Sequence, residues 1–366
     1  MDSPPAVQPY QNPPISAPVN TASPIPFESL RSRTVLITGG ASGIGASIAS
    51  TVAQHGGNVI IGDLNDQLGE GLIADLRQIS ESARHHFIHL DVTSWQSQVA
   101  FFKQAAALSP HGGIDTVVAN AGIASAEEIA FVDPPDYANL DDPPPPKHQI
   151  MNVNLMGVLY TTELALSYLS RNPGSNRCND SHSGSGARDR HLLLVSSIAG
   201  VVALPSQALY CVSKHAVVGL FRTLRITAPG NNGVRVNMLN PYFTATPIMG
   251  SIGPLFMSGA AMAQIEDVAG AAVRMVADKN IVGRALIVIS RGSRKEVEGA
   301  GLEYIEGDQH GNAVRDMLPD DMIQTDAFVR RMIAVINLRN AGRGWLEFFQ
   351  DAVRGLVMLA RRITGR

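Results

Sequence analysis

A doubly wound α/β domain built on a seven-stranded parallel sheet is the fold class this sequence predicts, and three observations predict it. Seven short runs rich in Val, Ile and Leu recur along the chain, continuous rather than alternating with polar residues. Continuous runs of that length mark strands buried on both faces, the situation of a parallel sheet covered by helices. Longer stretches with helical periodicity separate them, giving the order β, α, β, α. A glycine-rich turn sits between the first run and the first helical stretch, where such folds bind a nucleotide.

Taken in order, residues 1 to about 30 are rich in Pro, Ser and Asn, have little to bury, and are expected to form a disordered tail. Folding is expected to start near Ser32. The predicted strands are residues 34–38, 58–63, 86–91, 115–120, 191–196, 234–239 and 285–289, and they fit one Rossmann-type domain over residues 31–292. Residues 127–149, with Asp133-Pro-Pro-Asp and Asp141-Asp-Pro-Pro-Pro-Pro, and residues 171–190 break the rhythm and read as surface insertions without core chemistry. After about Arg291 the sheet rhythm ends, leaving a C-terminal extension, 293–366. Its last part is an amphipathic helix with Trp345, Phe349, Val353, Leu356 and Ala360 on one face and Arg354, Arg361 and Arg362 on the other. That helix suits packing on its own domain or on a second subunit; the alternative is a weak membrane-surface contact.

The 366 residues are 45% hydrophobic and 17% charged, with a net charge of −3, and no basic stripe argues for nucleic acid. Two cysteines, Cys178 and Cys211, form neither a disulfide framework nor a metal-ligand spacing. No signal pattern or bilayer-length apolar stretch is visible, so the expected location is cytoplasmic. His85, His86 and His89 cluster near a strand without acidic or cysteine partners, so no metal site is expected and they read as surface or edge histidines. Ser196-Ser197 is not a Gly-x-Ser-x-Gly elbow, which argues against a hydrolase.

The chemistry begins at Thr38-Gly39-Gly40-Ala41-Ser42-Gly43-Ile44-Gly45. Glycines let the backbone approach a pyrophosphate, which the following helix N-terminus stabilises. The second strand ends in Asp63, where a carboxylate accepts bonds from ribose hydroxyls and repels a 2′-phosphate. No Lys or Arg follows at Leu64 or Asn65, so NAD is favoured over NADP. Farther on, Tyr210 and Lys214 are four residues apart, and Ser197 lies thirteen residues before the tyrosine. On a helix that spacing puts a phenol and an ammonium on one face, the layout of a proton-transfer site.

With these motifs the chain resembles the classical short-chain dehydrogenase/reductase family over residues 32 to about 292. The turn Thr-Gly-x-x-x-Gly-x-Gly is that family's version of the nucleotide turn. The resemblance implies that Asp91 and Val92 contact adenine and that Asn120, Ala121 and Gly122 steady the sheet beside the cofactor. It implies that Asn154 organises a water in a proton relay and that Ser197, Tyr210 and Lys214 are the catalytic trio. Tyr210 would act as general acid/base, Ser197 would bond the substrate oxygen, and Lys214 would lower the phenol's pKa and bond the nicotinamide ribose. Where the family has Pro-Gly after the sixth strand this chain has Pro241-Tyr242, a change expected to narrow the cofactor's entrance or alter the loop. Thr244 and Thr246 would meet the carboxamide. The family resemblance also implies a homo-oligomer.

The loop from Pro247 to Met262 corresponds to the family's substrate lid and is apolar and methionine-rich. It suggests a bulky hydrophobic small-molecule substrate, a secondary alcohol or ketone, and the elaborated loops resemble family members in secondary metabolite biosynthesis. A catalytically idle cofactor-binding or scaffold protein is the alternative, motivated by Tyr242 and the long tail.

Overall fold

Runs such as Thr34-Val-Leu-Ile-Thr form strands because branched side chains pack well on a pleated surface and both faces find apolar cover. A computed structural model describes residues 15–80, 83–139, 141–178, 188–250, 261–300, 302–306, 308 and 310–317. Its strands are β1 Thr34–Thr38, β2 Asn58–Asp63, β3 His85–His89, β4 Thr116–Ala119, β5 His191–Val195, β6 Arg235–Pro241, β7 Ala285–Val288 and β8 Val314–Met317. They form one sheet in the order β3-β2-β1-β4-β5-β6-β7-β8, parallel from β3 to β7.

Helices α1 Gly43–Gln54, α2 Asp66–Ile79 and α7 Ile265–Ala277 cover one face. Helices α3 Trp95–Leu108, α5 Val158–Ser170 and α6 Ala208–Asn231 cover the other. Successive residues of β1 divide between the two: Val35 and Ile37 enter the first core, Leu36 the second. Between Gln149–Met151 (α4) and α5 the chain takes a wider π-helical turn, Asn152–Gly157. Among the described residues no helix is long and apolar enough to cross a membrane.

Four expectations are corrected. The sheet has an eighth strand: β8 pairs antiparallel with β7, and Arg284 forms an ion pair with Asp316 on it. Its sequence Val-Arg-Asp-Met has no apolar run, because an edge strand needs none. Residues 15–30 form no loose tail. Ile25 and Leu30 join the core, the Ser16 amide donates to the Val282 carbonyl (3.0 Å), and Arg274 donates to the carbonyls of Asn20 and Thr21. The ends of the 171–190 segment are buried at Asn172 and Asp189, where Asn172 Nδ2 donates to Asp115 Oδ1 and to the Asp189 carbonyl, both at 2.9 Å. His85 lies on the edge strand β3 but is buried rather than at the surface, and burial, with Arg77 nearby, pushes its imidazole down to about 4. Residues 1–14 and the helix expected at 345–362 lie outside the described residues.

Candidate active site

The chain leaves β3 at one edge of the sheet and returns at β4 on the far side of β1. Such a reversal sends the following helices to opposite faces and opens a crevice at the C-terminal ends of β1 and β4. The motif residues gather there. Gly39 takes φ +63°, and a Cβ on it would lie 2.7 Å from Ala121 Cα, so only glycine lets the two strand exits meet. Asn120 ties them together, its Nδ2 donating to the carbonyls of Thr38 (3.0 Å) and Gly39 (2.8 Å). The amides of Asn120 and Ala121 both donate to Thr38 Oγ1.

Gly43, at φ +55°, opens α1, and Ser42 before it makes no side-chain capping bond. Gly45 is buried in the first turn, and Ile44 packs on the core. The loop after β6 closes over this turn: a Cβ on Gly43 would sit 3.3 Å from Thr246 Cβ. Thr244 is buried and its hydroxyl donates to the Tyr242 carbonyl (3.0 Å). Tyr242 follows the last strand residue, Pro241, its amide donating to the Val288 carbonyl (2.8 Å), while its ring packs half-buried against the core. The tyrosine is therefore accommodated just past the strand end, at a position without a positive φ that would demand glycine. Part of the expected lid, residues 251–260, lies outside the described residues.

At the end of β2, Asp63 is held by two backbone donors, Ala41 to Oδ2 and Asn65 to Oδ1, both at 3.1 Å. Asp91 turns its Oδ1 to the Thr93 amide (2.9 Å) and hydroxyl (2.7 Å), fixing the chain before α3. Val92 is buried beneath Gly157, where a Cβ would come within 2.9 Å of Val92 Cγ2.

The π turn delivers Asn154 to the interior, fully buried. A π turn inside a helix is a frequent mark of functional sites. Asn154 Oδ1 accepts the Ile123 amide (2.8 Å) and Nδ2 donates to the Ile123 carbonyl (2.9 Å). Gly122 lies between Asn154 and Lys214: its Cβ would be 3.4 Å from Asn154 Oδ1 and 3.5 Å from Lys214 Nζ. Ser213, whose signal in the sequence is only its place before Lys214, joins the helices: its hydroxyl accepts from Asn154 Nδ2 (3.4 Å) and donates to the Tyr210 carbonyl (2.8 Å).

Tyr210 and Lys214 share one face of α6, with Nζ 5.6 Å from the phenol ring centre. Lys214 is buried, which brings its ammonium down to about 8, and Nζ donates to the Val195 carbonyl (3.2 Å). An ammonium has three donors and, among the described residues, this one spends one on the chain. Burial raises the Tyr210 phenol, and a hydrogen bond with Ser197 partly offsets that rise.

These groups fit a nicotinamide dinucleotide. A helix N-terminus with a glycine approach suits a pyrophosphate, Asp63 suits a ribose diol, and a buried ammonium with two unspent donors suits a second ribose. Among the described residues no cluster of His, Cys, Asp and Glu could hold a metal.

Comparison with known proteins agrees with this geometry. The family model described as short chain dehydrogenase matches residues 33–254. The 5′-hydroxyaverantin dehydrogenase of Dothistroma septosporum is 34% identical over 283 residues, 74% of this chain and 88% of that protein. NADP-dependent dehydrogenase M3 of Phoma sp. is 30% identical over 266 residues, 71% of this chain and 75% of that protein. A short-chain type dehydrogenase/reductase from Mycobacterium marinum has the same fold, with a TM-score of 0.56 at 23% identity, over 71% of this chain and 95% of that one.

Proposed function

The chain belongs to the short-chain dehydrogenase family, oxidoreductases acting on alcohol groups, and from that premise we propose that it interconverts a secondary alcohol and a ketone on a bulky hydrophobic small molecule, using NAD. The observation that carries this reading is the Tyr210 phenol beside the buried Lys214, with Ser197 acting on it, at the crevice that the glycine turn enters. Gly39, Ser42, Gly43, Ile44, Gly45, Asp63, Asn120, Ala121, Lys214, Thr244 and Thr246 would hold the dinucleotide, which supplies hydride transfer at its nicotinamide when bound.

In the oxidation direction Tyr210 takes the hydroxyl proton of the alcohol at its phenolic oxygen. Ser197 donates to the same substrate oxygen, where charge develops. Lys214 favours the phenolate by its charge and passes the proton onward, and Asn154 anchors the relay behind it. The relative named for 5′-hydroxyaverantin and the apolar loop after β6 support a hydrophobic substrate of secondary metabolism. Asp63 supports NAD, because a carboxylate held by two amides repels a 2′-phosphate; the relative named as NADP-dependent makes this the point to measure.

The test is nicotinamide absorbance with 1-phenylethanol, 1-tetralol and menthol, each with NAD and with NADP. Turnover with NAD at least tenfold above NADP is expected, with Asp63→Ala narrowing that ratio. A preference for NADP in the unmodified chain overturns the cofactor assignment, and no turnover with either cofactor overturns the reaction.

A further inference from the structure

We propose that Glu127 and Glu128 position the functional groups, Glu128 setting the register of Tyr210 and Lys214, and Glu127 that of Asn154. The proposal rests on the dehydrogenase reading above. It departs from the expectation that residues 127–149 carry no core chemistry.

Helix α6 begins at Ala208, and Gln207 before it makes no side-chain cap. The first amides of a helix have no intrahelical acceptor and need one from elsewhere. Here it is Glu128, only 9% exposed, from the 3₁₀ turn Ala126–Phe131. Its Oε2 accepts the Leu209 amide at 2.9 Å and its Oε1 the Tyr210 amide at 2.6 Å. One carboxylate thus holds the backbone of the residue whose phenol moves the proton, at the positive end of the helix dipole.

Glu127 does the same for the other helix. His148, before α4, makes no side-chain cap, and Glu127 accepts the amides of Gln149 at 3.1 Å and Ile150 at 3.3 Å. Asn154 follows four residues later, in the π turn. The turn that carries both glutamates is itself fixed, since the Ser125 hydroxyl accepts the Glu127 amide (3.2 Å).

A cap drawn from the residue before a helix stabilises the helix wherever it lies. A cap drawn from another segment also fixes where the helix starts relative to that segment. Because Glu127 and Glu128 are adjacent, the starts of α4 and α6 are held at a fixed spacing, and the Asn154–Ser213 bond ties the same helices deeper in. Misplacing a reacting group by about 1 Å costs on the order of 10²-fold in rate, so loss of this clamp should fall on turnover more than on cofactor binding.

The experiment uses the full chain with NAD and whichever alcohol of the panel turns over fastest. Glu128→Ala is expected to lower kcat by roughly 30- to 100-fold, to leave the KM for NAD within about twofold, and to speed hydrogen exchange at the Leu209 and Tyr210 amides by at least about tenfold. Glu128→Gln, which keeps one acceptor oxygen, should fall between. The deciding variant adds a local cap, Glu128→Ala with Gln207→Asp: thermal stability should return while kcat stays low. Return of kcat together with stability would make Glu128 an ordinary helix cap and overturn the proposal. So would unchanged kcat in Glu128→Gln, the variant to read if Glu128→Ala does not fold. No turnover by the unmodified chain overturns the dehydrogenase reading and the catalytic half of this proposal, while the exchange rates still decide the clamp.

Discussion

The two ends of the parallel sheet both bury ionisable groups, and they treat them in opposite ways. At the N-terminal ends of the strands, Asp189 sits between Arg235 and Arg33, with Arg235 donating Nη2 to Oδ2 at 2.6 Å and Arg33 donating Nη1 at 3.1 Å. Burial alone would raise that carboxyl; the two guanidiniums hold it well below the usual range. Arg235 also donates to the carbonyls of Met275 and Val276 at the C-terminal end of α7 and of Ile281, and Arg33 Nη1 to that of Val276. Asp115 is likewise shared among the Thr34 amide, Asn172 and Arg188. At the C-terminal ends of the strands, Lys214 donates to one carbonyl and lies beside the Tyr210 ring. A buried charge fully bonded within its own chain is architecture. A buried charge with donors to spare is set up to meet something else.

The sharpest way to break this comparison is Tyr210→Phe, which removes one hydroxyl from the second region. Turnover is expected to fall by about 10³-fold, within the range for a lost acid/base group, while NAD binding by fluorescence and the melting temperature stay near the parent values. Activity within tenfold of the parent would move the proton chemistry elsewhere. Asp189→Ala does the converse at the other end, leaving two buried arginines uncompensated. It should cost roughly 3–5 kcal/mol in urea unfolding, with activity per folded molecule retained; a cost under about 1 kcal/mol would mean that the carbonyls alone satisfy the arginines.

A smaller effect, of opposite sign, is expected for Lys214→Met. The ammonium lies at about 8 in the folded chain against 10.5 when free. Below about 8 both states are charged and the folded state bears the desolvation. Between about 8 and 10.5 the unfolded chain holds more protons, so the parent gains stability as pH rises. The methionine variant should therefore be more stable at pH 7, by at most about 3 kcal/mol, with the advantage shrinking toward pH 10.5, and it should be inactive. An advantage independent of pH would show that packing, not charge, is the cause.

Six of the seven parallel strands were legible because burial on both faces forces continuous apolar runs, a one-dimensional signal; β3, at the sheet edge, is only part-buried. The eighth was not, since Val314–Met317 is an edge strand whose Arg315 and Asp316 suit solvent and an ion pair. Residues 15–30 misled for a related reason: two anchors, Ile25 and Leu30, order a segment whose composition reads as disordered. In the site, glycine spacing, Asp63 and the Tyr210 and Lys214 pair could be read along the chain because each is a local pattern. Glu128 could not, because its partners, Leu209 and Tyr210, are some eighty residues away.

The sequence by itself determined the strands, the glycine turn and the identity of the groups that could carry hydride chemistry, since each depends on neighbours within a few residues. Tertiary structure alone decided which carboxylates are paired, that burial brings Lys214 to about 8, and that a turn after β4 grips the start of α6. These are long-range matters: desolvation and capping depend on what the fold packs around a group, and that is written nowhere near the group itself.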